Sequence, residues 1–202
     1  MYMAADEIER QRPGENKATK VIASVIESAE YRRKFDQITT LKKLSRLMCR
    51  QAKEILRHRS GTLLEDMVWI DLDTIEVVAE EKNGLTDGKI EYSGATRKIV
   101  ATYHNLLTMH SHPNSMPPSV DDLNSSFEKG YQLGVVLCHN GQIYVYQSEE
   151  FIEPDYFMMV VAQFKKRGYN EAEAQLAAIR EAEEHFDIRV WEVTDDGDDA
   201  GK

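Results

Sequence analysis

Two histidines and an aspartate form the pattern in this chain that most directly indicates chemistry. His110 and His112 are two residues apart, so on an extended segment both rings point to the same side. Asp122 follows ten residues after the second histidine and can supply an anionic third ligand. Two histidines and one carboxylate leave a fourth tetrahedral position open for water, which is the ligand set of a catalytic zinc ion rather than a structural one. The pattern therefore predicts one Zn²⁺ per chain, held by His110, His112 and Asp122.

The segment that begins at His110, HSHPNSMPPSVDD, resembles the signature of the JAMM metalloproteases, which are also called JAB or MPN domains. This family includes zinc-dependent deubiquitinases and their prokaryotic relatives. Its pattern is His-Ser/Thr-His-Pro, a short loop and then Ser-x-x-Asp, with a glutamate far upstream. The resemblance implies that His110, His112 and Asp122 bind the metal and that Ser119 assists at the oxyanion.

The loop between the second histidine and the serine is one residue shorter than is usual in that family. It contains six residues, Pro113 to Pro118, and the shortening can displace Ser119 and the two acids after it. Asp121 therefore competes with Asp122 as the third metal ligand, although the intact Ser-x-x-Asp spacing favours Asp122. The tetrapeptide that starts at Ser119 also resembles a capping box, in which a serine and an acid three residues later satisfy backbone N–H groups at a helix start. The two interpretations are compatible, because a capped helix start is a rigid place from which to present Asp122.

Hydrolysis at such a metal also requires a group that takes a proton from the attacking water and passes it to the leaving amine. In JAMM proteins this group is a glutamate that follows the first core helix, at the start of a strand. Glu65 has that place between Gly61, which ends a helix, and the apolar run that begins at Met67. A solvated carboxylate at a strand end is the alternative interpretation, and Glu76 is the next candidate for the base. Asp66 should point to the opposite face from Glu65 if the segment is extended.

The resemblance extends beyond the metal motif. The stretches EYRRKFDQIT, HRSGTLLEDMVWID and LGVVLCHNGQIYVY are similar to JAMM-like proteins of bacteriophages and mobile elements, in which the domain often accompanies a head-morphogenesis polypeptide. The similarity runs from Ala29 to Val193 and implies a cytidine-deaminase-like core. It also implies a protein or peptide substrate, by analogy the C-terminal tail of a ubiquitin-like protein.

The composition narrows the other possibilities. A chain of 202 residues with a net charge of −10 and no basic stripe is poorly suited to nucleic acid, because phosphate neutralisation supplies most of that affinity. No apolar stretch is long enough to span a membrane, and no secretory signal is visible. Two cysteines, Cys49 and Cys138, are too few for a disulfide framework and indicate buried free thiols in a reducing compartment. We therefore expect a cytoplasmic protein without a nucleic-acid or membrane partner, and the oligomeric state stays open.

Hydrophobic periodicity predicts an α/β domain in which helices pack against the faces of a mixed β-sheet. Helices are predicted over residues 19–35, 40–58, 96–104, 119–130, 154–167 and 171–185. Strands are predicted over residues 67–70, 75–78, 106–109, 133–138, 143–146 and 186–190. The third strand ends just before the histidine pair and so delivers both rings to one end of the sheet. Asn140-Gly141 indicates a two-residue hairpin turn between the fourth and fifth strands.

The sequence divides into four segments. Residues 1–18 are predicted to be a disordered start, 19–39 an N-terminal helical extension, 40–193 the JAMM-like metalloprotease domain and 194–202 an acidic, disordered tail. The connection over residues 80–95 is rich in glycine and polar residues. It either orders over a bound peptide or is a mobile connection.

Three functions fit these observations. The first is a zinc-dependent peptidase or isopeptidase, in which Glu65 acts as general base and then as general acid while Ser119 donates a hydrogen bond to the oxyanion. The second is a non-catalytic, MPN-like interaction module, which the shortened loop motivates. The third is a metal-dependent hydrolase of another bond, such as a phosphoester, although such sites usually recruit more ligands.

Overall fold

The computed structural model describes Gly14 and residues 17–195, while residues 1–13, 15, 16 and 196–202 lie outside the described residues. The predicted disordered start over residues 1–18 and the predicted acidic tail over residues 194–202 therefore fall mostly outside it. The helical segment 19–39 and the domain 40–193 lie within the described part.

Six strands form one mixed sheet. They are β1 (Met67–Asp71), β2 (Glu76–Glu81), β3 (Leu106–His112), β4 (Leu133–Cys138), β5 (Ile143–Ser148) and β6 (Ile188–Glu192). Their order across the sheet is β2-β1-β3-β4-β5-β6. The central pair β3 and β4 is parallel, whereas the other neighbouring pairs are antiparallel.

Helices cover both faces of this sheet. Those in the described part of the chain are α1 (Ala23–Ile26), α2 (Ala29–Ile38), α3 (Lys42–Arg59), α4 (Gly94–Val100), α5 (Val120–Lys129), α6 (Pro154–Lys166) and α7 (Glu171–Glu183). Helix α5 is the crossover that the parallel pair β3 and β4 requires. The mixed sheet flanked by helices confirms the predicted α/β class. Over residues 17–195 no helix combines the length and the apolar composition needed to cross a membrane.

The two faces of the sheet contact different helices. Along β3, Leu107 and Met109 point into a core that also contains the apolar sides of α1, α2 and α3. Because side chains alternate along a strand, His110 and His112 point to the other face. On that face the strands pack against α5, α6 and α7. The first three helices thus support the sheet from behind, and the histidines emerge on the side of α5.

The predicted helix over residues 19–35 is wrong in its bounds, because the chain forms two helices there. Ser28 has an extended backbone, and its hydroxyl accepts a hydrogen bond from the Tyr31 N–H, so it caps the start of α2 and interrupts the preceding turn. The cap therefore overrides a continuous apolar periodicity. Ile26, Tyr31 and Phe35 are at most 1% exposed, so both helices belong to the same core as α3.

Several further bounds differ from the prediction, among them those of β2 (Glu76–Glu81, predicted 75–78) and β6 (Ile188–Glu192, predicted 186–190). Strand β3 continues to His112, because the Ser111 N–H still donates to the carbonyl of Asp66. Helix α4 begins after its N-cap Ser93 and ends at Val100, earlier than the predicted 96–104. The hairpin between β4 and β5 is present, but four residues, 139–142, separate the two strands, and the Cys138 N–H donates to the carbonyl of Gln142 across the turn.

Candidate metal centre

Three side chains converge where β3 ends and α5 begins. His110 Nε2 lies 3.1 Å from Asp122 Oδ1, and His112 Nε2 lies 3.4 Å from Asp122 Oδ2. The two Nε2 atoms are 3.1 Å apart. Each residue offers one ligand atom, and these atoms all lie within 4.8 Å of one another. This is the group that the sequence predicted, and its geometry could hold a metal ion.

The loop from Pro113 to Pro118 brings the start of α5 back over the end of β3. It turns at once, because the Ser115 N–H donates to the carbonyl of His112 at 2.9 Å. Its far end is held by α7, where the amide of Gln175 donates to the carbonyls of Pro117 and Pro118 at 2.9 and 2.7 Å. Both ends of this short loop are therefore fixed to the fold.

A hydrogen bond determines the tautomer of His112. Its Nδ1 lies 2.8 Å from the carbonyl oxygen of Met116, and because a carbonyl only accepts, Nδ1 must carry the hydrogen. In the neutral ring Nε2 then carries a lone pair, which faces the carboxylate of Asp122. Two electron-rich groups at this distance are stabilised by positive charge between them, either a proton on Nε2 or a metal ion. A backbone partner on the distal nitrogen is also the usual support of a histidine that binds a metal.

The pKa values of the site express the same demand for positive charge. Burial disfavours a charged imidazole, but the Asp122 carboxylate outweighs this effect and raises the pKa of His112 to about 9. For Asp122, burial acts to raise the pKa, but the two histidines hold it well below its usual range. A divalent cation bound by the Nε2 lone pairs and the carboxylate satisfies this demand, so the donor set fits Zn²⁺.

His110 is oriented by packing. Its side chain is 2% exposed, and its Nδ1 has no hydrogen-bond partner among the described residues. The ring of Tyr146 stands edge-on to it, with 6.4 Å between the ring centroids. A ligating histidine is ordinarily oriented by a hydrogen bond from its distal nitrogen, as His112 is. His110 lacks such a bond among the described residues, so its ring orientation depends on packing against Tyr146.

A capping box fixes Asp122 at the start of α5. The Ser119 hydroxyl accepts from the Asp122 N–H at 3.1 Å, and Asp122 Oδ2 accepts from the Ser119 N–H at 2.7 Å and from its hydroxyl at 2.8 Å. The other carboxylate oxygen, Oδ1, is the one nearest His110. Asp121, turned away by about 100° along the helix, is exposed and does not belong to the convergent group. Despite the short loop, the structure brings Asp122 rather than Asp121 to the histidines.

Glu65 lies across the sheet from His112. In the antiparallel ladder Met67 pairs with His110, and Ser111 donates to the Asp66 carbonyl at 3.1 Å. One step further along this register, Glu65 stands opposite His112, and side chains of opposed residues share a face. Burial raises the pKa of Glu65, the two histidines oppose that shift and Asp122 adds to it. A carboxyl group with a raised pKa beside the metal ligands is suited to proton transfer near neutral pH.

Asp66 points to the opposite face, as the alternation predicted, and forms a buried charge cluster there. It is 0% exposed and pairs with Arg59 Nε and, at 2.6 Å, with His58 Nδ1. Arg59 also donates to the carbonyl of Lys82 at 2.7 Å. The cluster thus connects three places in the chain: Arg59 lies at the end of α3, Asp66 follows Glu65, and Lys82 follows β2. Sequence analysis missed it as a unit, because its members are paired only by the fold.

The metal centre opens into a cleft of about 830 Å³. Glu65, Ser119 and Asp122 line it together with the histidines. Four residues of the connection that was predicted either to order over a peptide or to be mobile also line the cleft, namely Gly88, Lys89, Ile90 and Tyr92. The sequence pattern did not indicate the aromatic and apolar residues that line the cleft, among them Tyr146, Phe151 and Met158. The available signal was only that each lies near the end of a predicted element.

The remaining histidines stay outside this group. His104 and His185 are exposed, and His58 pairs with Asp66. His139 is buried, with its Nδ1 2.8 Å from the carbonyl of Thr19, and burial lowers its pKa. Both cysteines are free and buried, as predicted.

The chain matches no protein-family model, no curated protein and no solved structure. Similarity to known proteins therefore assigns the chain no family, and the candidate metal centre is the feature that bears on its function.

Proposed function

We propose that this chain is a zinc-dependent peptidase or isopeptidase of the JAMM type, built on a cytidine-deaminase-like core and acting in the cytoplasm. One observation carries the proposal. Glu65, a carboxyl group with a raised pKa, stands on the same face of the sheet as three convergent metal ligands and lines the same cleft. Ligands, a proton acceptor and open space together are what hydrolysis of a bound carbonyl compound requires.

Zn²⁺ held by His110, His112 and Asp122 would supply Lewis acidity and a water acidified towards neutral pH. The chain's own residues supply the rest of the chemistry. His112 is kept in the ligating tautomer by Met116, and Asp122 is kept in place by its capping box. Glu65 accepts the proton of the attacking water and returns it to the amine that leaves.

Ser119 has two tasks in this proposal. In the observed arrangement its hydroxyl donates to Asp122 Oδ2, so it positions a metal ligand. Donation to a developing oxyanion requires the hydroxyl to rotate away from Asp122. The Ser119 N–H, at 2.7 Å from the same carboxylate oxygen, keeps Asp122 in place during that rotation. The oxyanion role stays a prediction.

The charge of the cleft favours a peptide over a phosphoester. In the described part of the chain, Lys89 is the single lysine or arginine that lines it, against four carboxylates: Glu65, Asp121, Asp122 and Glu128. A substrate or nucleic acid with phosphate groups needs more cations than this. A neutral peptide group meets no such barrier. The substrate proposed by analogy is the extended C-terminal tail of a ubiquitin-like protein.

The test combines zinc content with turnover on ubiquitin-like fusions, using wild type, Glu65→Gln and Glu76→Gln. Glu65 lies outside the ligand group, so Glu65→Gln should keep its zinc and lose about 10²–10⁴-fold in rate. Glu76 is an exposed residue of β2, and its variant is the matched control that should stay active. Loss of activity in Glu76→Gln alone would move the general base there. Bound zinc without turnover in wild type would favour the interaction module, and absence of bound zinc would refute the proposed metal centre.

A further inference from the structure

One side of the metal cleft is apolar and is not used by the proposed chemistry. Phe151 and Met158 both line the cleft, yet they are 38% and 52% exposed. Large apolar side chains that line a polar site and remain in water are typical of a binding surface. Ile90 and Tyr92 line the same cleft, so a bound chain has contacts available from more than one segment.

The position of Phe151 is fixed by the helix that carries the metal ligand. The buried side chain of Asn124 donates to the carbonyl of Ile152 and accepts from its N–H, both at 2.8 Å. Ile152 is 0% exposed and belongs to the core between α5 and α6. Because Ile152 fills the core, its neighbour Phe151 is left on the cleft side. Asn124 lies two residues after Asp122, so α5 holds both the apolar wall and the metal ligand.

Met158 is presented by α6. Its neighbour Phe157 is buried. Successive side chains on a helix differ in direction by about 100°, so Met158 points towards the solvent and the cleft. A phenylalanine offers a rigid apolar face, whereas an unbranched methionine adapts its shape to what it contacts. Together they suit large apolar side chains of differing shape.

We propose that Phe151 and Met158 form an apolar subsite that receives one large aliphatic or aromatic side chain of a peptide whose carbonyl lies at the metal. This inference rests on the proposed function, which makes the substrate a peptide. It narrows the substrate class to peptides with a large apolar residue within reach of the bond that is cleaved. Of the large apolar side chains that are exposed in the described part of the chain, Phe151 and Met158 are the two that line the cleft, so we expect them to set the preference.

Two zinc-chelating probes test the subsite without requiring turnover. N-acetylglycine hydroxamate and N-acetylleucine hydroxamate share the chelating group and differ only in the apolar side chain. On the zinc-loaded full chain, calorimetry should show the leucine probe binding about tenfold tighter, because full burial of a leucine side chain contributes roughly tenfold to a hundredfold and the subsite buries it in part. Phe151→Ala and Met158→Ala should each reduce the preference to about threefold or less, with the affinity for the glycine probe unchanged.

The chain offers matched controls for both substitutions. Met159 is also 52% exposed and lies next to Met158 on α6, and Phe127 is 41% exposed on α5, but neither lines the cleft. Met159→Ala and Phe127→Ala should keep the full preference for leucine, and Phe151→Leu, which stays apolar, should keep most of it.

The outcomes separate the subsite from the metal centre. Equal binding of the two probes to wild type overturns the subsite and leaves the metal centre standing. A preference that survives in Phe151→Ala and Met158→Ala, or that is lost in the control variants, overturns it as well. If wild type binds neither zinc nor either hydroxamate, the proposed function fails and the subsite falls with it.

Discussion

Exchanging single carboxylates at the start of α5 tests which of two neighbouring aspartates binds the metal. Asp122→Asn replaces the oxygen that lies 3.1 Å from His110 Nε2 by part of a neutral amide. Asp121→Asn removes an equal charge from an exposed side chain one residue away. Both substitutions change the charge near the helix N-terminus by the same amount, so a difference between them reports coordination rather than the field of the helix.

The expected difference is large. Loss of an outer-shell partner costs a metal site about 10–100-fold in affinity, so loss of a ligand should exceed about 100-fold, or about 2.7 kcal/mol. Asparagine keeps an acceptor oxygen for the Ser119 N–H, so the change in the capping box itself should lower the free energy of unfolding by less than about 1 kcal/mol. Asp121→Asn should change zinc affinity by less than about fivefold, because an exposed charge contributes less than about 1 kcal/mol.

The assay is competition for zinc against a chromophoric chelator, with urea unfolding in the presence of excess chelator to isolate the effect on the helix. If Asp121→Asn loses the metal and Asp122→Asn keeps it, the Ser-x-x-Asp register is wrong. Equal large losses in both variants would also contradict the geometry, because they would require Asp121 to turn inward.

The packing around the site gives three further predictions. Asp66→Ala should lower the free energy of unfolding by about 3–5 kcal/mol, because it leaves a buried cation unpaired. Asp195→Ala, which breaks an exposed ion pair with Arg33, should lower the free energy of unfolding by less than about 1 kcal/mol. Equal losses for Asp66→Ala and Asp195→Ala in urea unfolding would refute this reasoning. Gly134→Ala should lower the free energy of unfolding by about 1–3 kcal/mol and weaken zinc binding. An added Cβ would lie 2.0 Å from the ring of Tyr146, and that ring packs against His110. Burial raises the pKa of the Cys138 thiol, so a thiol reagent should label it only as fast as the chain unfolds, and rapid labelling of the native protein would contradict that.

The parts of the site that obey local rules were predictable from the sequence. Alternation along a strand places His110 and His112 on one face, and the Ser119 cap sets the rotation of Asp122 on the first helical turn. Both rules act over fewer than five residues and do not depend on the rest of the fold. The shortened loop therefore did not displace the aspartate, because the cap and the strand are each fixed independently of the loop's length.

The features that the sequence did not predict depend on contacts between residues distant in sequence or on competition between local signals. Ser28 shows the second kind, since a serine cap interrupts an apolar periodicity that continues on both sides. Gly134 and Tyr146 show the first kind. A glycine inside a strand indicates close approach by another group, but only the pairing of β4 with β5 identifies the aromatic ring that covers it. The orientation of His110 depends on that ring, so no short-range pattern could supply it.

The position of Glu65 shows how the fold turns two separate sequence signals into one site. Glu65 and the histidines are more than forty residues apart, and nothing local to either relates them. The antiparallel register between β1 and β3 does so, and it is fixed just beside Glu65, where Asp66 exchanges hydrogen bonds with Ser111. A slip of one residue would turn Glu65 to the opposite face and Asp66 to the cleft. The buried pairing of Asp66 with Arg59 opposes that slip, since it would expose one charge and leave the other without its partner. The charge cluster behind the sheet therefore favours the register in which Glu65 stands beside His110, His112 and Asp122.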